Sequence, residues 1–277
     1  MERVFSPGLS QKDILFLVET VDPTLLNKID TIKGDPAIIE GMMDHEAHRI
    51  FERIMLMAEE TIMATVSPRL IFEVLLRITY SELNGKAYTV ERTSTQKIPV
   101  FDTSEVIHFL DNKPILRYLA DMLTSFTRSN SFTRRVRIRE GIWRKIKFSD
   151  MNIDSLLMLC QSRDEEHRFS LYKRIADLCL FILGIFPEYV TIDYRYPSSS
   201  VMNPRSFSRF KRSMEDYEEE GRLFYKLAGE HREAKLLNLA EVFHLLHNNF
   251  NLAKKPLNFI SQHFIKFKNR GIFPSVY

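Results

Sequence analysis

Apolar residues return every three or four positions along most of this chain, the repeat of one face of a helix. Between Glu46 and Met63 the recurring set is Ile50, Phe51, Ile54, Met55, Met57 and Ile62; after Ser67-Pro68 it is Leu70, Phe72, Val74, Leu75 and Ile78, with Asn84-Gly85 as the stop signal. Ser10 with Asp13 opens a helix through Ile14, Leu15, Phe16 and Val18. Asp22-Pro23 and Asp35-Pro36 each set a capping carboxylate before a proline, whose missing N–H costs nothing in a first turn. Thr103 or Ser104 caps a short helix through Val106, Ile107, Phe109 and Leu110, and Pro114 opens another through Leu116, Leu119, Met122 and Phe126. Asp150 or Asn152 caps Ile153 to Leu159, and a long helix spans Glu165 to Ile185. The C-terminal part reads as two or three helices. Phe210, Met214, Tyr217, Leu223, Phe224 and Leu227 fall in one and Leu236 to Phe250 in the next. Pro256 is expected to kink or separate the last, which carries Phe259, Ile260, Phe264 and Phe267.

Two places depart from that rhythm. Tyr88 to Glu91 and Ile98 to Phe101 read as short extended pieces around a polar loop, pairing with each other or with the segment that follows. From Arg134 to Phe148 the period becomes two. Val136, Ile138, Ile142, Ile146 and Phe148 alternate with Arg135, Arg137, Arg139, Trp143, Lys145 and Lys147, the pattern of a half-buried ribbon. A three-residue loop, Arg139-Glu140-Gly141, would pair Ile138 with Ile142 and set Val136 opposite Arg144.

These patterns predict a mainly α protein, a helical bundle with a small β-hairpin insertion. At 277 residues the chain has room for one large domain or two. The Pro- and Ser-rich stretch from Pro187 to Pro204 marks the clearest break. It implies a helical domain over 1–190, with the β insertion at about 86–148, and a C-terminal helical segment over 205–277, separate or packed on the first. No fixed-period repeat runs through the chain.

Ala176-Asp177-Leu178-Cys179-Leu180-Phe181-Ile182-Leu183-Gly184-Ile185-Phe186-Pro187-Glu188, with Phe224-Tyr225-Lys226-Leu227-Ala228 downstream, resembles a family of uncharacterised bacterial helical proteins. Ser125-Phe126-Thr127-Arg128 and Arg168-Phe169-Ser170-Leu171-Tyr172-Lys173-Arg174-Ile175 are similar to the same set, so that the resemblance covers mainly 115–260. It implies a helical fold and a bacterial cytoplasmic origin, and it transfers no functional residue. Tyr217, Gly221, Tyr225 and Ala228, followed by Ala240, Phe243, Phe250 and Ala253, resemble a tetratricopeptide-like helix pair in which a small residue lets the helices approach. One such unit makes no solenoid, which needs three or more.

Composition narrows the function classes. Hydrophobic residues at 44% and charged ones at 27% are ordinary for a folded globular chain. The net charge of +3 is too small to argue for a polyanionic partner, so such an argument needs local clustering. Cys160 and Cys179 sit among apolar neighbours without metal or redox spacing, which favours a reducing compartment. The first residues lack the basic start and apolar run of a signal peptide. The most apolar window, Ile175 to Phe186, contains Asp177 and ends at Pro187, short of the ~20 residues a membrane span requires.

The candidate chemistry is concentrated in the ribbon. Arg135, Arg137, Arg139, Arg144, Lys145 and Lys147, with Trp143, combine forked phosphate ligands with a group able to stack on a base, and Glu140 is the one acid nearby. The plainer alternative is a solvated face, or cations neutralised by Asp164-Glu165-Glu166. Further cations occur at Arg205, Arg209, Lys211 and Arg212, at Lys254-Lys255, and at Lys266, Lys268 and Arg270. His45 and His48, and Glu241 with His244, have the three-residue spacing of metal ligands on a helix, yet only Glu241-His244 is the Glu-x-x-His unit of a di-metal bundle. Nucleophile elbows and glycine-rich phosphate loops are missing, and nine glycines leave few places for one.

The expectation is therefore a non-enzymatic cytoplasmic protein, without cofactor or membrane partner, that recognises nucleic acid or an acidic protein through the ribbon. The competing expectation is a helical scaffold or adaptor. It would bury an aromatic face around Phe243, Phe250 and Phe259 against another protein or a second copy of itself. A di-metal bundle is the third.

Overall fold

The computed structural model describes residues 8–92, 97–128, 130–140, 142–190 and 212–264. The protein is mainly α-helical with small antiparallel hairpins, and it divides into two compact units. The first comprises Met1–Thr89, Phe101–Thr127 and Gln262–Phe273; the second comprises Val90–Val100, Arg128–Ser261 and Pro274–Tyr277.

In the first unit, helices α1 (Gln11–Val21), α2 (Ile29–Gly34), α3 (Pro36–Leu56), α4 (Glu59–Thr65), α5 (Pro68–Asn84), α6 (Thr103–Asp111) and α7 (Lys113–Ser125) follow one another. α5 is its centre, packed against α3, α6 and α7. Leu70, Ile71, Phe72, Val74, Leu75, Leu76 and Ile78 are buried on every side of it, as a helix surrounded by others requires. Asp13 ties two helix starts together. Its Oδ2 accepts the Ser10 backbone N–H at 2.7 Å in a reciprocal cap, and its Oδ1 accepts from Ser67 N at 2.6 Å, where α5 begins.

The helical repeat from Glu46 to Met63 spans two helices. α3 starts earlier, at Pro36 behind the Asp35 cap, and stops at Leu56, where Met57 turns extended before α4. The apolar period continues in phase across that break, so spacing alone does not reveal it.

In the second unit, which takes β1 (Thr89–Arg92) from Val90 onward, β1 pairs only with β2 (Lys97–Val100), and β3 (Ser131–Arg139) pairs only with β4 (Ile142–Ser149), among the described residues. The two extended pieces therefore pair with each other and leave the ribbon as its own sheet. Helices α8 (Ile153–Gln161), α9 (Phe169–Ile185), α10 (Met214–Glu230), α11 (Arg232–Leu236), α12 (Ala240–Asn248) and α13 (Phe250–His263) also belong to it, α13 as far as Ser261. Residues 165–167, expected to open α9, form a separate 3-10 turn.

α9 is the buried axis, with α8 and α10 against it. Residues on both sides of the Pro187 to Pro204 stretch fall in the second unit, where α10 packs on α9. Residues 191–204 of that stretch lie outside the described ones. Pro256 lies inside α13 rather than ending it, and the helix break falls instead at Asn249.

At Gly221 on α10, an added Cβ would stand 2.5 Å from the Phe250 ring and 3.0 Å from Cys179 Cβ. The small residue thus admits both α9 and α13. Tyr225 stacks on Phe243 at 5.9 Å, and Phe243 also meets Phe169 at 6.1 Å. Phe243, Phe250 and Phe259 are all buried, which corrects the expectation of an exposed aromatic face there. Phe243 and Phe250 both meet Tyr225 inside this unit. No helix among the described residues is long and apolar enough to cross a membrane.

Candidate functional site

The ribbon pairs Thr133 with Lys147, Arg134 with Ile146, Arg135 with Lys145, Val136 with Arg144 and Arg137 with Trp143. Residues directly opposed in an antiparallel pair belong to one face, and faces alternate along each strand. One face therefore holds positions 133, 135, 137, 143, 145 and 147, while Arg144 falls on the other, opposite Val136 as expected.

The loop differs from expectation. A register shift between Arg137 and Arg139 leaves Ile138 as the extra residue, and Arg139 rather than Ile138 pairs with Ile142. The strands are joined through Glu140 and Gly141, the latter outside the described residues. Such a bulge inserts one residue and changes the alternation beyond it, so position 139 shares the face of Arg144 instead of that of Arg137. Five of the seven candidate positions, 135, 137, 143, 145 and 147, remain together. Lys145 is exposed, as is Arg128 at the approach to β3, and neither forms an ion pair among the described residues.

The foot of the ribbon is anchored. Phe148 is buried, Asp150 N donates to Asn130 O at 3.1 Å, and Asn130 N donates to Asp150 Oδ1 at 2.9 Å. From α9, Arg174 donates through Nε to the Asp150 carbonyl and through Nη2 to Oδ2, each at 3.1 Å. Burial holds the Arg174 guanidinium below its ordinary pKa, against the opposing pull of Asp150 and Asp177.

Of the acids proposed to neutralise the ribbon, Glu165 accepts from Arg168 at 2.8 Å and from the Tyr172 hydroxyl at 2.9 Å. These carboxylate bonds are local, and the Glu165 carbonyl meets His231 Nε2 at 3.2 Å. Among the other cations, Arg212 is internal, donating to Asp154 at 2.7 Å and Glu220 at 2.8 Å. Arg205, Arg209, Lys211, Lys266, Lys268 and Arg270 lie outside the described residues.

The histidine pairs do not converge. His45 and His48 belong to the first unit, where His45 Nδ1 donates to the Gly41 carbonyl at 2.8 Å and His48 Nε2 stands 3.6 Å from Glu82. Glu241 and His244 are exposed on α12 in the second unit. No group of three or more potential ligands is assembled among the described residues. Cys160 and Cys179 are free and buried, and burial raises both thiol pKa values.

Two charged clusters have no motif in the sequence. On α5, Arg77 donates to Glu73 at 3.0 Å and to Asp44 at 2.8 Å, and Arg69 also bonds Glu73. On α9, Asp177 receives Lys173 Nζ at 2.6 Å and the Tyr225 hydroxyl at 2.9 Å. The available signal was a charge inside an apolar helix, since a buried charge needs partners. Both clusters fasten helices together.

No protein-family model matches this chain, and neither curated proteins nor solved structures give a significant match.

Proposed function

We propose that this is a non-enzymatic nucleic-acid-binding protein that takes single-stranded nucleic acid on the basic face of the β3–β4 ribbon. The observation carrying the reading is the register that puts Arg135 opposite Lys145 beside the Arg137–Trp143 pair. Like charges directly opposed on a sheet repel, and a polyanion laid along them relieves that repulsion. Successive positions of one face advance by two residues, about 6.8 Å, close to the spacing of phosphates in an extended strand. Trp143 favours a single strand over a duplex, because its ring can stack only on an unstacked base. The two free, buried cysteines are consistent with a reducing cytoplasmic setting.

Trp143 is the sole tryptophan, so its fluorescence reports directly on the ribbon. Titration with a short single-stranded oligonucleotide is expected to quench it. Four phosphate contacts, at positions 135, 137, 145 and 147, would give a slope of log K against log salt of about −3. Arg135→Glu with Lys145→Glu should abolish the quenching while the helical circular dichroism persists. Binding without salt dependence, or no binding, would overturn the proposal. Preferential binding of polyglutamate would replace nucleic acid by an acidic protein.

A further inference from the structure

The basic face of the ribbon changes character toward its foot. Beyond Arg135 and Lys145 it continues with the pair Thr133–Lys147 and then Ser131–Ser149, since opposed residues share a face and positions two apart along a strand return to it. Three hydroxyl groups therefore follow the cations on one surface. Ser131 and Thr133 are exposed, and Ser149 is half-buried. The opposite face at this level carries the Phe132–Phe148 pair, and burial of Phe148 leaves the hydroxyl face as the solvent side.

Most of the hydrogen-bonding capacity of these hydroxyls is unspent. Neither the Ser131 nor the Thr133 hydroxyl has a hydrogen-bond partner among the described residues. Ser149 Oγ accepts from Met151 N at 3.2 Å, which leaves its proton to donate elsewhere. The three also stand at the anchored end of the ribbon, where Asp150 N donates to Asn130 O at 3.1 Å and Arg174 holds the Asp150 carbonyl from α9. Hydrogen bonds weaken steeply with misalignment, so a held backbone suits them, whereas charges tolerate more play.

Cations take the phosphates of either nucleic acid. Neutral hydroxyls beside them add donors and acceptors that match another hydroxyl, and RNA differs from DNA in carrying one on each ribose. Thr133 lies directly opposite Lys147, with Cβ atoms about 5 Å apart, so a strand whose phosphate is held at position 147 lays the adjoining ribose against Thr133 and Ser131. We infer that, given nucleic-acid binding by the ribbon as proposed above, this face selects single-stranded RNA, the Ser131 and Thr133 hydroxyls exchanging hydrogen bonds with ribose 2′-hydroxyls. A deoxyribose presents C–H at that place and leaves both side chains desolvated and unpaired, which weakens DNA binding.

The test compares an oligouridylate with the oligodeoxyuridylate of equal length, which differ only in the 2′-hydroxyl, by quenching of Trp143 in the full chain. Oligouridylate should bind on the order of tenfold tighter, the worth of one or two net hydrogen bonds. Both should show the same salt slope, because their phosphates are alike. The 2′-O-methyl oligouridylate, which cannot donate, should fall toward the deoxy form. Ser131→Ala with Thr133→Val, which keeps a β-branched side chain at 133, should bring oligouridylate down to the affinity of oligodeoxyuridylate and leave the latter unchanged. Thr133→Val alone, with a smaller loss in the same direction, serves should the double variant not fold. Equal affinities of the two oligonucleotides, or a preference for RNA that persists in the folded variants, would overturn the selectivity and leave the ribbon as a nucleic-acid site. Absence of quenching by both would overturn that site and the selectivity with it.

Discussion

Arg174 grips Asp150 twice, one nitrogen on the main-chain carbonyl and one on the carboxylate, each at 3.1 Å. Through this pair the central helix of the second unit holds the residue at which the basic ribbon ends. The side chains are only 15% and 22% exposed, so solvent compensates little when the pair is broken. Arg174→Ala should lower unfolding free energy by about 2 kcal/mol, the scale of hydrogen bonds to charged groups. Urea denaturation gives that figure. Hydrogen exchange should show β3 and β4 amides losing protection before those of α9, and an unchanged ribbon would remove the anchoring role.

Gly221→Ala pits helix propensity against packing. Alanine is favoured over glycine inside a helix by about 1 kcal/mol. Here its Cβ would meet the Phe250 ring at 2.5 and 2.7 Å and Cys179 Cβ at 3.0 Å. Overpacking of that severity costs about 1–3 kcal/mol. A lowered melting temperature is expected, and a stabilised variant would mean that α10 and α13 part easily.

Acid should weaken the first unit through Asp44. Burial pushes its carboxyl up, but the hydrogen bond from Lys113 and the Arg77 charge outweigh it and hold the pKa below 3.8. A depressed folded value means that this stabilisation is complete above 3.8 and is lost as pH falls through the folded pKa. Lys113→Met should flatten the decline in urea midpoint over that acidic range. An identical slope in wild type and variant would count against Asp44 as its source.

Both thiols should resist modification in the native protein. Cys160 is 7% exposed and Cys179 fully buried, and burial raises each pKa, so little thiolate meets the reagent. With a chromogenic disulfide, two equivalents should react in urea and almost none without it. Rapid reaction of one thiol in native protein would show that α8 or α9 opens locally.

Much of this architecture is written in local chemistry. The Ser10–Asp13 cap, the Asp-Pro starts at 22 and 35 and the Ser67-Pro68 opening each involve residues within one turn of each other and form as read, while of the two candidate caps of α8 it is Asn152 that serves. The period-two ribbon is legible for the same reason, including the Val136–Arg144 pairing. Its bulge at Ile138 is not, because one inserted residue leaves the alternation in sequence intact while shifting Arg139 to the other face.

What the tertiary structure alone decided is where apolar and charged stripes find their partners. The Phe243, Phe250 and Phe259 stripe looks the same in sequence whether it faces solvent, another protein or α9; only the docking of α10 and α13 through Gly221 and Gly184 shows that it is buried. The hydrogen bond from Asn251 to Glu218 likewise joins helices more than thirty residues apart, and it exists only once those helices meet. Secondary structure follows from neighbours along the chain, whereas sites follow from burial, which depends on every element at once.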